Sequence, residues 1–266
     1  MGRSGTLKAM TGSKRRRLPP APAWVGDQRV ASWGPLDEYD RASPAVDCVL
    51  FTAAEGQLGV LVHRRLVDPG EGQWALPGVF VNYGESFQQA ALRALKTKVG
   101  LELGSELHEV GIDNHPDRDE RGWVISVSYV GLLAASEVSR LDSTTSLAVV
   151  PVSAPPGDVV GAGLALDLPD DQAELVLGHN QLVGGALEWL RRQVYATGLV
   201  LELMPPEFTL RDLRLTYEAI LGKTLNRASF QRQVVEVQRL IEPTGETRTD
   251  VSHRPAALYR AAAPTS

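Results

Sequence analysis

The 266-residue chain has a single cysteine, Cys48, and no uninterrupted apolar run near the ~20 residues that a bilayer-spanning helix needs. The first absence excludes an internal disulfide and points to a reducing compartment; Cys48, set in "AVDCVLF", is expected as a small core residue. The second excludes a membrane span. No hydrophobic stretch follows the N-terminal basic residues, so no signal peptide is read, and a soluble, cytoplasmic protein is expected. Acid is missing from residues 1–20, which hold six Lys or Arg. Residues 21–204 carry 12 basic against 25 acidic residues, and residues 205–266 nine basic against seven acidic. An acidic body with basic ends permits a polyanion to bind at those ends. Residues 1–43, with "GSKRRRLPPAPAW", also lack periodic apolar residues, so a largely disordered arm is expected. Its Lys14, Arg15, Arg16 and Arg17 read either as a solvated tail or as an auxiliary contact to a nucleic-acid backbone.

With 43% hydrophobic residues the remainder is long enough for one large domain or two smaller ones, and a domain of about 150 residues buries ~70% of its unfolded surface. From Pro44 the β-branched runs "AVDCVLFTA" and "QLGVLVHRR", separated by "AEG", predict a hairpin. Further strands are expected at "HEVGIDN", "WVISVSYVGLL" and "SLAVVPV". A helix is predicted from Ser86 to Val99, with Ser86 as N-cap, Gln89 completing a capping box, Leu92, Leu95 and Val99 on one face, and Gly100 as the stop. A second helix is predicted over about Asp170–Thr197, and "MPPEF" then breaks the chain.

After that break, "TLRDLRLTYEAILG" predicts a helix capped by Thr209, with Asp212 in the box position, and stopped by Gly222. A further helix starts near Asn226, with the apolar stripe Phe230, Val234, Val237 and Ile241; Arg232 and Arg239 lie almost opposite that stripe. With a following β-ribbon, "GETRTDVSHRPAALYRA", this pattern fits a winged helix-turn-helix or an ordinary helical subdomain with a solvated face. For the first reading the DNA-contacting candidates are Asn226, Arg227, Ser229, Gln231, Arg232, Arg248, His253 and Arg254.

The segment "LPGVFVNYGESFQQAALRALKTKVGL", Leu76–Leu101, resembles the box of the pyrophosphate-cleaving Nudix family, G-x5-E-x7-R-E-U-x-E-E-x-G-U, where U is a bulky aliphatic. Glu85, Arg93, Gly100 and Leu101 match; Val79 replaces the first glycine, and Ala94, Thr97 and Lys98 replace three glutamates. Carboxylates at i, i+3 and i+4 would share one helical face and hold a hard cation against phosphates. This chain has none there, so hydrolysis by the family mechanism is not expected, and no catalytic or metal-binding residue is assigned. The expected fold core uses Leu76, Phe80, Leu92 and Leu95. "DRDERGWVISVSYVGLL" looks like the strand of relatives handling ADP-ribose. Effector-binding candidates are Arg64, Arg65, Trp74, Gly78, Phe80 and Glu85. The two arginines suit a diphosphate; Trp74 and Phe80 either stack on a base or belong to the core; Glu85 and Arg93 are expected to pair.

Taken together, a Nudix-like segment without its glutamates followed by "FTLRDLRLTYEAILGKTLNRASFQRQV" and "RPAALYR" resembles the Nudix-related transcriptional regulators of NAD metabolism, the NrtR family. The resemblance implies an α+β chain: a Nudix-like α/β/α sandwich with a mixed sheet over 44–203, then a winged helix-turn-helix over 204–266. It implies a homodimeric, nucleoid-associated repressor of NAD synthesis or salvage genes, bound to a palindromic operator in double-stranded DNA with half-sites ~34 Å, or whole turns, apart. ADP-ribose or a related nucleotide would act as effector, with no cofactor required. Two rivals stay open: a hydrolase recruiting Glu102, Glu106 or Asp119 for metal, and a nucleotide-sensing scaffold that binds protein.

Overall fold

The computed structural model describes residues 40–102, 106–115, 118–141, 146–157, 163–248 and 255–262. The basic arm lies almost wholly outside them, and Ser43–Ser266 form one compact unit. The expected hairpin is present as β1 (Ser43–Ala54) and β2 (Gln57–Arg64), followed by short β3 (Trp74–Ala75) and β4 (Gly78–Phe80). Then come α1 (Phe87–Val99), β5 (His108–Asp113), β6 (Val124–Ala134), α2 (Ala135–Val138), β7 (Leu147–Ser153) and β8 (Ala165–Leu166). The sheet runs β5-β6-β1-β2-β7-β8, with β3 on β2 and β4 on β1. β1 and β6 are parallel and the other pairs antiparallel, so the sheet is mixed.

β1 shows why this sheet needs cover on both faces. Val46, Cys48 and Leu50 point to one layer, where α1 contributes Ala90, Ala91, Ala94 and Leu95; Val49, Phe51 and Ala53 point to the other. Period-two alternation of apolar residues on both parities is the signature of a doubly covered strand.

α1 is capped as its sequence predicts. Ser86 Oγ accepts from Gln89 N–H (3.1 Å), Gln89 Oε1 accepts from Ser86 N–H (2.9 Å), and Gly100 ends the helix at φ 69°. Its seating differs from the expected one. The helix rests on alanines, which bring its axis close to the sheet and rotate Leu92 outward, leaving Leu92 43% and Phe80 41% exposed. Neither belongs to the core; Leu76 and Leu95 do.

The helix expected over 170–197 is shorter. α3 spans His179–Gln193, because Asp170, Asp171, Leu177 and Gly178 all take left-handed φ and no helix passes through them. Side-chain bonds hold that stretch instead, one tertiary and one local: Gln172 Oε1 accepts from Trp74 N–H (2.7 Å) and Asn180 Oδ1 from Leu175 N–H (2.9 Å).

Beyond Pro205 and Pro206 lie β9 (Phe208–Thr209), α4 (Leu210–Leu221), α5 (Arg227–Gln231), β10 (Ile241–Arg248) and β11 (Ala256–Ala261). The sheet β10-β11-β9 beside two helices is a winged helix. α5 continues as a wide π-type turn over Arg232–Val237. That turn breaks the expected four-residue stripe: Phe230 and Val234 are buried, Val237 is 61% exposed, and Ile241 is buried from a strand. Arg239, with φ 51°, lies past the helix and not opposite the stripe. A π-type turn takes more residues than 3.6, so positions after it rotate off the helical face.

One apolar core joins the two parts. It runs from Phe51, Val60 and Val130 through Leu182, Val183, Leu187 and Leu190 of α3 to Leu213, Tyr217, Phe230 and Val234. No helix among the described residues is long and apolar enough to cross a membrane.

Candidate functional site

Asp47 on β1 is buried among polar partners. Its Oδ2 accepts from Arg118 Nη2 (2.9 Å) and Ser126 Oγ (2.7 Å), and its Oδ1 lies 3.5 Å from His179 Nε2. His179 Nδ1 accepts from Leu76 N–H (2.9 Å), which assigns the ring proton to Nε2, facing Asp47. Burial pushes the Asp47 carboxyl up, but His179, Arg118 and Ser126 outweigh it and hold it below the usual range. Burial likewise lowers His179, so its ring is neutral near pH 7. Arg118, itself buried, reaches Asp113 at 3.5 Å as well. Gly78 faces this carboxylate: a Cβ there would stand 2.2 Å from Asp47 Oδ1 and 2.8 Å from Val46 O. The glycine lets β4 approach β1.

Around this buried centre lies a rim of arginines. Arg121 grips Asp119 with two bonds (2.9 and 2.7 Å) and sets its guanidinium 5.1 Å from the Phe80 ring centroid. Arg65 is partly desolvated and within electrostatic reach of Arg121, Asp119 and Asp47; its Nε donates to Pro69 O. Arg65, Arg121 and the half-exposed Phe80 thus gather two cations and one aromatic ring beside the buried Arg118–Asp47 pair, a combination suited to a diphosphate joined to a ring.

The other expected effector residues are placed differently. Trp74 is only 3% exposed, so its ring is closed to a ligand by burial; the Cζ of Arg64 sits 4.6 Å from its centroid. Arg64 also donates to Gly72 O (2.7 Å) and pairs with Asp170. Glu85 forms a two-bond pair with Arg93 (2.8 and 2.7 Å) and accepts from Asn82 N–H. Those bonds, Arg93 first, pull its carboxyl down to about 2. Arg93 further donates to Phe80 O, pinning β4 to α1. Sequence reasoning missed Asp47, Arg118, Arg121 and His179. The "DRDER" loop advertised two of them by composition, whereas nothing local links Asp47 to His179.

On α1, Ala94 is buried, Thr97 Oγ1 donates back to Arg93 O (2.7 Å), and Lys98 is exposed. His63 registers Lys98: burial first, then the charges of Lys98 and Arg65, drive its pKa down to about 4. This donor set does not suit a hard divalent cation. Among the described residues no group of three or more His, Cys, Asp or Glu side chains is placed to hold one.

In the winged helix, Thr209 and Asp212 close a capping box on α4, and Gly222 ends it at φ 66°. Asn226 Oδ1 accepts from Ser229 N–H (3.0 Å), so that oxygen is spent on the cap of α5. Phe230 packs edge-on against Tyr217 at 5.0 Å, which turns Arg227, Ala228, Ser229, Gln231 and Arg232 to solvent. Arg248, at the end of β10, is tied to Asp212 (3.0 Å). His253 and Arg254 lie outside the described residues.

Comparison with known proteins agrees with this geometry. Residues 41–156 match the NUDIX domain model and residues 200–261 the NrtR DNA-binding winged helix domain. The ADPR responsive transcriptional repressor NtrR of Acinetobacter baylyi is 32% identical over 227 residues, 84% of this chain and 83% of that protein. The crystal structure of Shewanella oneidensis NrtR complexed with a 27mer DNA superposes with a TM-score of 0.65 at 31% identity, covering 82% of this chain and 93% of that one. The ADP-ribose pyrophosphatase of Methanocaldococcus jannaschii is 38% identical over 92 residues, 35% of this chain and 52% of that protein. A Nudix fold packed against a winged helix, matched along most of its length by these repressors, places the chain in the NrtR family of Nudix-related transcriptional regulators.

Proposed function

We propose that this chain represses NAD synthesis or salvage genes by binding an operator through its winged helix, under the control of ADP-ribose or a related nucleotide held at Arg65, Arg121 and Phe80. In this reading residues 44–203 sense and residues 204–266 contact DNA, in a cytoplasmic homodimer on a palindromic site. The observation that carries it is a pairing within one compact unit: a polar and basic α5 face open to solvent, and an α1 face bearing Ala94, Thr97 and Lys98 where metal-bound carboxylates would serve cleavage. Nucleotide binding without consumption suits a sensor. Arg227, Ser229, Gln231 and Arg232 are the proposed groove contacts, with Asn226 capping the helix and Arg248 placing the wing. His253 and Arg254 are the proposed phosphate contacts, which would make affinity fall with salt.

A mobility-shift titration on DNA selected from a random pool tests this. A salt-sensitive, sequence-dependent shift that ADP-ribose alters is expected; absence of any sequence preference would refute repression and favour a protein-binding scaffold. The match to an ADP-ribose pyrophosphatase gives hydrolysis a second reading. Against it, Glu102 is held by Lys96 (2.6 Å) and both oxygens of Asp119 by Arg121. Incubation with ADP-ribose and Mg²⁺ separates the two, since AMP release near one turnover per second would mark an enzyme.

A further inference from the structure

α3 is anchored at both ends in different parts of the molecule. At its start, His179 is bound to the Leu76 amide and faces Asp47, whose other oxygen holds Arg118. Twelve residues on, about 18 Å along the axis at 1.5 Å per residue, stands Arg191. Its guanidinium donates to four backbone carbonyls: Ile220 (2.7 Å) in the last turn of α4, and Ala154 (2.9 Å), Pro155 (2.8 Å) and Gly157 (3.2 Å) just after β7. One side chain therefore clamps the end of the Nudix sheet to the end of a winged-helix element. The last carbonyls of a helix lack partners within it and favour a cation, so the Arg191 contact to α4 fills a need that the fold itself creates.

Gly222 closes the same joint. A Cβ there would lie 2.2 Å from Ala154 O and 3.1 Å from the Pro155 carbonyl carbon, at a φ of +66°. Between the two anchors, Leu182, Val183, Ala186, Leu187 and Leu190 are buried in the core shared by the sheet and the winged helix. A helix packed this way moves as a body, so a shift at His179 is delivered to Arg191 rather than absorbed along the way.

We propose that α3 couples the arginine rim to the winged helix, with Arg191 as the positioning residue that transmits the coupling. An anion seated on Arg65 and Arg121 offsets positive charge that acts on Asp47 and His179, and so biases the seat of α3 between two arrangements. The inference rests on the rim binding a nucleotide and the winged helix binding DNA.

The test measures the affinity of the full chain for its selected DNA with and without ADP-ribose, and for ADP-ribose with and without that DNA. The two ratios must agree, since binding linkage is reciprocal. For Arg191→Ala and Arg191→Gln we expect ADP-ribose affinity within about twofold of wild type and a coupling ratio reduced to within about twofold of one, from a wild-type ratio of roughly 5 to 150. Arg191→Lys keeps the charge but not the planar fork, and its ratio should fall between. Leu95→Ala, which weakens the opposite core layer without touching the joint, should lower the Tm and keep the wild-type ratio. A wild-type ratio in Arg191→Gln overturns the proposal, as does an ADP-ribose affinity loss beyond about tenfold. Equal loss of coupling in Leu95→Ala would assign the effect to stability and also overturn it. If Arg191→Ala does not fold, an unchanged ratio in Arg191→Lys has the same force. A wild-type protein that binds neither ligand, or shows a ratio of one, sinks the functional reading itself, which keeps the two failures distinct.

Discussion

Arg118 provides much of the positive charge that makes an ionised carboxylate tolerable at Asp47. Removing one member of a buried, hydrogen-bonded ion pair leaves the other charge uncompensated, at a cost of about 3–5 kcal/mol. Arg118→Ala should lower stability by that amount in urea unfolding, and adding Asp47→Asn should recover part of it. A loss below about 1 kcal/mol would mean that the pair carries little of the local energy. Of the cationic rim the sequence offered Arg65 alone as a candidate, and the histidine that faces Asp47 stands 132 positions away in α3, where no spacing rule reaches. Gly78 is instructive in the same way. The sequence offers it as a candidate ligand contact, and the structure supplies a packing reason, a carboxylate on the neighbouring strand.

The elements most legible in advance were those fixed by local chemistry. Ser86 with Gln89, Thr209 with Asp212, and the left-handed Gly100 and Gly222 bound α1 and α4 where capping rules put them. α3 and the second half of α5 depart from their apolar spacing, which persists where backbone bonds do not. The Gln172 side chain ties the run-up to α3 onto β3, Asn180 bonds back to Leu175 at the start of α3, and the wide turn carries Val237 into solvent. At this scale the proposed DNA contacts divide by role. Arg232→Ala should cost about 1–3 kcal/mol on the preferred site and relax specificity at one base position. Arg248→Ala frees the wing from Asp212 and should weaken binding by a similar factor on every sequence. Measuring both variants against a panel of single-base changes checks this, and indistinguishable profiles would refute the division.

Across the whole molecule, buried neutral histidines make stability depend on pH. A histidine in the unfolded chain titrates near 6.5, while His63 is held at about 4 and His179 below its ordinary value, in both cases chiefly by burial. Between pH 6.5 and about 4 the unfolded state therefore binds protons that the folded state refuses. Stability is complete above that window and falls as pH drops through it. His63 alone contributes a loss on the order of 3 kcal/mol. Melting from pH 7.5 to 4.5 should show a falling Tm, with a shallower slope in His63→Asn; a flat profile would contradict it. Metal removal should act differently. With no carboxylate cluster on α1, chelation by EDTA should leave ADP-ribose affinity within about twofold, and a Mg²⁺ dependence beyond tenfold would point to a site that this geometry lacks.

The seam between the sheet and the winged helix has one more consequence. Ala154 O leaves no space for a methyl at Gly222, and the apolar interior from Phe51 to Val234 is common property. The reader of DNA is therefore not a bead on a string that can be traded for another. A chimera joined at Pro205 and Pro206 inherits a mismatched seam, so under the proposed reading a new operator calls for changes in the solvent-facing residues of α5 rather than a borrowed domain.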